Sequence, residues 1–153
     1  MTAERTPLSV IGRIRLAARI WFWYWAIRLR LRGTRLPELV GWLGRPLERS
    51  RTPMEPRRLG RAVGRVLGRG PFRTRCLLSS LVLFRLLREQ GAQPELVIGL
   101  PPRPESHEAH AWVEVDGRVV GPPPGRLGHS ALTRYGCDPR LGPQSAPARL
   151  GIR

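Results

Sequence analysis

The chain has 153 residues, a formal net charge of +16 and a hydrophobic content of 41%. This length allows one domain of ordinary size, and the hydrophobic content is sufficient to bury a core. These values exclude a disordered chain and a two-domain enzyme with a large cofactor fold. The charge favours acidic partners, namely nucleic acid, an anionic membrane or an acidic polypeptide, and does not choose among them.

The cysteine and histidine content excludes two common kinds of structural site. Two cysteines are too few for a disulfide framework, and two cysteines with three histidines lack the paired spacing of a structural zinc site. We therefore expect no bound metal. A single reactive cysteine with a distant histidine is the remaining pattern that carries chemistry.

The first 70 residues are predicted to be helical and basic. Thr6 is the expected N-cap of a first helix that continues from Leu8 to about Arg32. Residues 21–25 are five consecutive aromatics, so aromatic rings surround one helical turn. Two interpretations follow: either the fold or a partner protein buries the helix, or residues 20–32 lie at a membrane surface.

The sequence carries no secretory signal, because arginines rather than a cleavage site follow the apolar run at residues 20–27. That run is also shorter than the roughly 20 residues needed to cross a bilayer. We expect a cytoplasmic protein, with membrane association as an alternative through the first helix.

Three more helices are predicted, over residues 37–49, 56–67 and 76–90. The last of them is apolar on most faces, so it should lie at the centre of the fold, and Gly91 is its expected C-cap.

Strands are predicted over residues 95–100, 110–115 and 118–120, the last two joined by the hairpin turn Asp116-Gly117. Residues 121–153 are rich in proline, glycine and arginine, and we expect only loose structure there.

Cys76 is the first candidate for chemistry. If Thr74 caps the fourth helix, Cys76 lies in its first turn, where free backbone N–H groups and the helix dipole favour a thiolate. Arg73 and Arg75 add positive charge nearby. The alternative is an inert buried cysteine.

His110 is the second candidate, because it opens a strand after a polar loop. Strand alternation places His110, Trp112 and Glu114 on one face. A helix N-terminus bearing cysteine, packed against a strand that begins with histidine, provides a nucleophile with its general base. His107 and His129 lack such a context, and we expect both to be ordinary polar residues.

The segments RCLLSSLVLFRLLREQGAQPELVIGL and HAWVEVDGRVVG closely resemble the transglutaminase-like cysteine peptidases of lasso-peptide biosynthesis, in their stand-alone form. The resemblance implies an α+β, transglutaminase/papain-like core in which the cysteine-bearing helix packs against a small antiparallel sheet. The core would occupy residues 56–125, between a helical basic and aromatic region at 1–55 and a tail at 126–153.

The resemblance also implies a function in a bacterial maturation pathway. The protein would remove the leader of a ribosomally made precursor peptide before a separate asparagine-synthetase-like cyclase closes the macrolactam. A small leader-recognition protein would be a further partner. Cys76 would be the nucleophile and His110 the general base. No Walker-type loop occurs, so we expect no cofactor, and no nucleic-acid partner is expected.

One departure from the family pattern affects the expected third catalytic residue. The family carries an aspartate near the position that Pro122 holds here. Asp116 and Asp138 are candidate orienting acids, whereas Glu114 would lie about 13 Å from His110 along the strand. Three alternatives stay open: a Cys–His dyad, an acid supplied by the tail or a partner, or an inactive homologue that binds or scaffolds.

Trp112 and Glu114 are candidates for lining the cleft or for orienting groups within it. The alternative for both is ordinary strand packing.

Overall fold

The protein is described here as a computed structural model, over residues 9–45, 54–68, 76–101, 109–121, 129–137 and 144–145. In this part of the chain, four helices lie against one antiparallel sheet of strand order β3-β2-β1-β4-β5, which confirms the α+β prediction. The elements are α1 (Val10–Arg30), α2 (Leu36–Leu43), α3 (Pro56–Gly68), α4 (Cys76–Glu89), β1 (Pro94–Leu100), β2 (His110–Val115), β3 (Arg118–Val119), β4 (Ser130–Tyr135) and β5 (Gln144–Ser145).

Helix α4 is the centre of the molecule, as its sequence predicted. It packs against α1, α2 and α3 and also against β1 and β2. Every residue from Leu78 to Leu87 except Ser79 is buried. Ser80 donates a hydrogen bond from Oγ to the carbonyl oxygen of Ala111, 2.9 Å away, which ties the helix to β2.

A buried ionic cluster joins α1 and α2 to the C-terminal half of α4. Arg85 donates from Nη1 to the carbonyl oxygens of Leu43 and Arg45, at 2.7 and 3.1 Å, and lies 3.6 Å from Glu89. Burial lowers the pKa of Arg85, against the raising effect of Glu89. The second oxygen of Glu89 pairs with Arg19 of α1.

The turns predicted after α4 and between β2 and β3 are present. Gly91 has a positive φ of 82° and ends α4, and Asp116 and Gly117 have φ values of 52° and 71°. These two positive angles make a hairpin turn that follows the twist of β2 and β3.

Helix boundaries differ from the prediction at two places. Ser9 caps α1, accepting from the backbone N–H of Gly12 at 3.1 Å, whereas the expected cap, Thr6, lies outside the described residues. Helix α2 ends at Leu43 rather than continuing to Arg49. At Gly44 the chain passes the backbone of Cys137 so closely that a Cβ there would lie 2.8 Å from the Cys137 carbonyl oxygen.

The expectation of loose structure after residue 121 was wrong for part of that region. Strand β4 pairs with the free edge of β1, and β5 pairs with β4. The sheet therefore continues beyond the hairpin, and β1 is its central strand.

We predict opposite effects on stability for two substitutions in α3. A Cβ at Gly60 would overlap the backbone carbonyl of Val120, whereas Gly64 has no atom near the same position. Gly60→Ala should lower the free energy of unfolding by about 1–3 kcal/mol through overpacking. Gly64→Ala should raise it by about 0.5–1 kcal/mol, because alanine favours a helix. Urea denaturation of both variants measures this, and equal effects at the two positions would contradict the packing of α3 against Val120.

Candidate functional site

Cys76 is the first residue of α4 and is half-buried. Its Sγ lies 3.9 Å from the carbonyl oxygen of Ala109, the residue directly before His110. The body of α4 is covered, but the backbone N–H groups of its first turn have no partners within the helix. The predicted cap Thr74 and the flanking Arg73 and Arg75 lie outside the described residues.

His110 begins β2 and lies opposite Gly99 of β1. Its ring stacks on that of Trp112, with ring centroids 6.3 Å apart and planes at 22°. The contact between Cys76 and Ala109 thus brings the N-terminus of α4 to the first residue of this strand. The structure places the two residues that the sequence paired at one edge of the sheet.

Gly99 makes room for this arrangement. A Cβ at Gly99 would lie 2.6 Å from the Trp112 ring and 2.6 Å from the carbonyl oxygen of Ser130. Real Cβ atoms are not found at such distances, so any side chain here would displace the indole or the start of β4. The glycine therefore allows Trp112 to lie across β1 beside His110.

A second imidazole, that of His129, contacts His110. The two ring centroids are 5.3 Å apart with planes at 41°, and the Nδ1 of His129 is buried without a hydrogen-bond partner in the described part of the chain. Strands β2 and β4 are both antiparallel to β1, so they begin at the same edge of the sheet. The sequence predicted an ordinary polar residue at His129, and no local signal marks its contact with His110, because the contact depends on the pairing of β4 with β1.

Glu114 shares the face of His110 but is held by other partners. It accepts from Trp112 Nε1 at 2.8 Å and from Arg134 Nη1 at 2.8 Å. The hydrogen bond to Glu114 is the main reason that the pKa of Arg134 is raised. Trp112 is only 3% exposed. The network links β2 to β4 across β1 and orders the indole that lies against His110.

The candidate orienting acids do not meet His110 in the described residues. Asp116 occupies the hairpin turn at the far end of β2, about 20 Å along the strand from His110. Asp138 lies outside the described residues, and so does Pro122.

The second cysteine is in a different environment. The Sγ of Cys137 donates to the carbonyl oxygen of Pro94 at 3.2 Å, and burial raises the pKa of this thiol to about 11. At neutral pH Cys137 is therefore a protonated, inert thiol. Of the two cysteines, Cys76 has the surroundings of a nucleophile.

A cavity of about 860 Å³ lies at the other end of α4, lined by residues that include Arg30, Trp42, Arg88 and Cys137. Helix α4 is about 20 Å long, so this cavity does not serve Cys76. In the ranges that the structure describes, no group of three or more His, Cys, Asp and Glu side chains is placed to hold a metal ion.

Comparison with known protein families shows similarity over most of the chain. The family model of the transglutaminase-like superfamily matches residues 14–139, which include most of α1, all of α2 to α4 and β1 to β4, Cys76 and His110. No curated protein and no solved structure shows significant similarity to the chain. The matched segment covers most of the chain, and the helix-on-sheet core that it contains is the α+β core expected from the sequence. The chain therefore belongs to the transglutaminase-like superfamily.

Proposed function

We propose that this protein is a cysteine peptidase that removes the leader from a lasso-type precursor peptide before a separate cyclase closes the macrolactam. One observation carries the peptidase assignment: Cys76 at the first turn of α4 contacts the residue next to His110. The transglutaminase-like superfamily includes cysteine peptidases and transglutaminases. The narrower assignment to leader removal rests on the resemblance of residues 75–100 and 110–121 described above.

In the proposed reaction, His110 takes the proton of the Cys76 thiol, and the thiolate attacks the scissile carbonyl carbon to form a C–S bond. The free N–H groups at the start of α4 would stabilise the negative charge that develops on the carbonyl oxygen. His110 then gives its proton to the leaving amine as the C–N bond breaks. Water hydrolyses the thioester, which releases the leader's carboxylate and restores the thiol.

A mass-spectrometric cleavage assay tests this proposal. The assay would use the purified chain with the precursor peptide and the leader-recognition protein of the same gene cluster. We expect cleavage by the wild type and by Cys137→Ser, and none by Cys76→Ala or His110→Ala. Cleavage that persists in Cys76→Ala would contradict the assignment.

Pro122→Asp separates the active enzyme from the degenerate alternative. If the wild type binds the precursor without cleaving it and Pro122→Asp cleaves, the natural protein is a binding or scaffold protein. Cleavage by the wild type would show that an aspartate at position 122 is dispensable.

We assign His129 the role of a positioning residue for His110 in this reaction. A histidine base works only if a neighbour holds its ring in the correct orientation and tautomer. The ring of His129 contacts that of His110, and its buried Nδ1 has no hydrogen-bond partner in the described part of the chain. A neutral imidazole can donate or accept, so it can take the place of a neutral orienting amide.

His129→Phe keeps a ring beside His110 but removes both nitrogens, whereas His129→Gln keeps a donor and an acceptor. We expect kcat to fall on the order of tenfold in the phenylalanine variant, with KM unchanged, because positioning affects proton transfer rather than binding. The glutamine variant should recover part of the loss. Equal activity of wild type and His129→Phe would reduce His129 to a packing residue.

Thiol alkylation should distinguish the two cysteines. With its pKa at about 11, Cys137 is ionised to only about one part in a thousand at pH 8. We therefore expect iodoacetamide to modify Cys76 and leave Cys137 intact in the folded protein. Labelling of Cys137 should increase as pH rises towards 11, and also in urea, where the thiol loses its burial. Rapid labelling of Cys137 in native Cys76→Ala at pH 8 would contradict this.

A further inference from the structure

Helix α1 has a second apolar face that the described part of the fold does not cover. Its inner face is buried in the core through Ile20, Tyr24 and Ile27. The opposite face is exposed and apolar along the whole helix. We call it the outer stripe, and its members are Ile11, Ile14, Ala18, Phe22, Trp25 and Leu29.

The outer stripe is continuous. At 100° per residue its six positions fall within an arc of about 80°, and they extend for about 27 Å along the axis. Phe22 is 64% exposed, Trp25 45% and Leu29 62%. Exposed apolar surface of this length marks an interaction site.

Arginines flank the outer stripe on both sides. At the same angular spacing, Arg15 and Arg19 lie along one side, and Arg28 lies along the other. The guanidinium of Arg28 lies over the Trp25 ring, 5.4 Å from its centroid. Helix α1 contains five arginines and no acidic residue.

We propose that the outer stripe docks on the surface of an anionic phospholipid bilayer, with α1 lying parallel to the membrane plane. Such a surface supplies both components that the stripe requires: acyl chains for the apolar side chains and negative headgroups for the flanking arginines. Trp25 would lie at headgroup depth. No helix in the described part of the chain has the length and hydropathy to span a bilayer, so α1 would lie on it.

The charge pattern argues against a second copy of this chain as the occupant. Two outer stripes facing each other would bring two sets of flanking arginines together, on chains that each carry a net charge of +16. Like charges brought together at a contact oppose association. With an anionic lipid surface the electrostatic interaction of these arginines is attractive instead of repulsive.

Vesicle cosedimentation of the full chain tests the proposal. The probes are vesicles of phosphatidylcholine alone and of phosphatidylcholine with one quarter phosphatidylglycerol. We expect at least about tenfold tighter binding to the anionic vesicles, because each arginine near the surface adds to the affinity. Binding should weaken with salt but persist, since the apolar contribution is not screened.

Two variants of the outer stripe are needed, with one matched control. Phe22→Glu with Leu29→Glu, and the milder Phe22→Ser with Leu29→Ser, should each reduce binding at least about tenfold while the far-ultraviolet circular dichroism stays unchanged. Leu132→Glu is the control, because Leu132 is also an exposed apolar residue, at 54%, but lies on β4. It should bind as the wild type does.

Three results would overturn the proposal. The first is no binding to anionic vesicles. The second is unchanged binding of both stripe variants, which would reduce the interaction to charge alone. The third is a dimer in light scattering that the stripe variants convert to a monomer, because the stripe would then be an interface between copies.

Discussion

The burial of α4 on nearly all sides is the constraint on which this structure depends. A helix with apolar residues around its whole circumference has no face that water solvates well. The chain covers it with α1, α2 and α3 on one side and with β1 and β2 on the other. Three polar side chains inside this cover bond to neighbouring elements: Ser80 to β2, Arg85 to the end of α2, and Glu89 to α1.

The same burial confines the chemistry to one end of the helix. Because the middle of α4 is enclosed, a residue on it can meet a substrate only at a terminus. At the N-terminus the N–H groups that have no partner within the helix, Cys76 and the edge of the sheet where β2 and β4 begin come together. At the C-terminus the chain turns at Gly91 into β1, so that end of α4 serves as the connection to the sheet. Different residues of α4 therefore stabilise the fold and carry the reactive group.

Local signals made the centre of the fold predictable. A long apolar segment that ends at Gly91 predicts helix α4. Strand alternation and an Asp-Gly turn predict the β2–β3 hairpin. The pairing of Cys76 with His110 followed from these two elements. The sequence of α1 indicated aromatic rings on every side, but only the packing shows which side the core occupies and which remains outside.

The rest depended on contacts between distant parts of the chain. Strand β4 escaped prediction because its sequence, SALTRY, does not alternate apolar and polar residues, and none of its side chains is fully buried; Leu132, its large aliphatic residue, is exposed. Backbone pairing with β1 holds it instead. The meeting of His129 with His110 and the bond from Arg134 to Glu114 both cross β1. Neither contact has a local sequence signal, because each requires the sheet order.

The position of β4 in the sequence also sets the order in which the sheet can form during synthesis. Strand β1 acquires β2 on one edge soon after it is made, but its other edge stays unpaired until residues 130–135 have left the ribosome. An open, central strand is a template for aggregation. The segment that closes this edge is the one that carries His129 to His110. The nascent chain is therefore most prone to aggregate while its candidate site is still incomplete. The pairing of β4 with β1 both covers the open edge of β1 and completes the site.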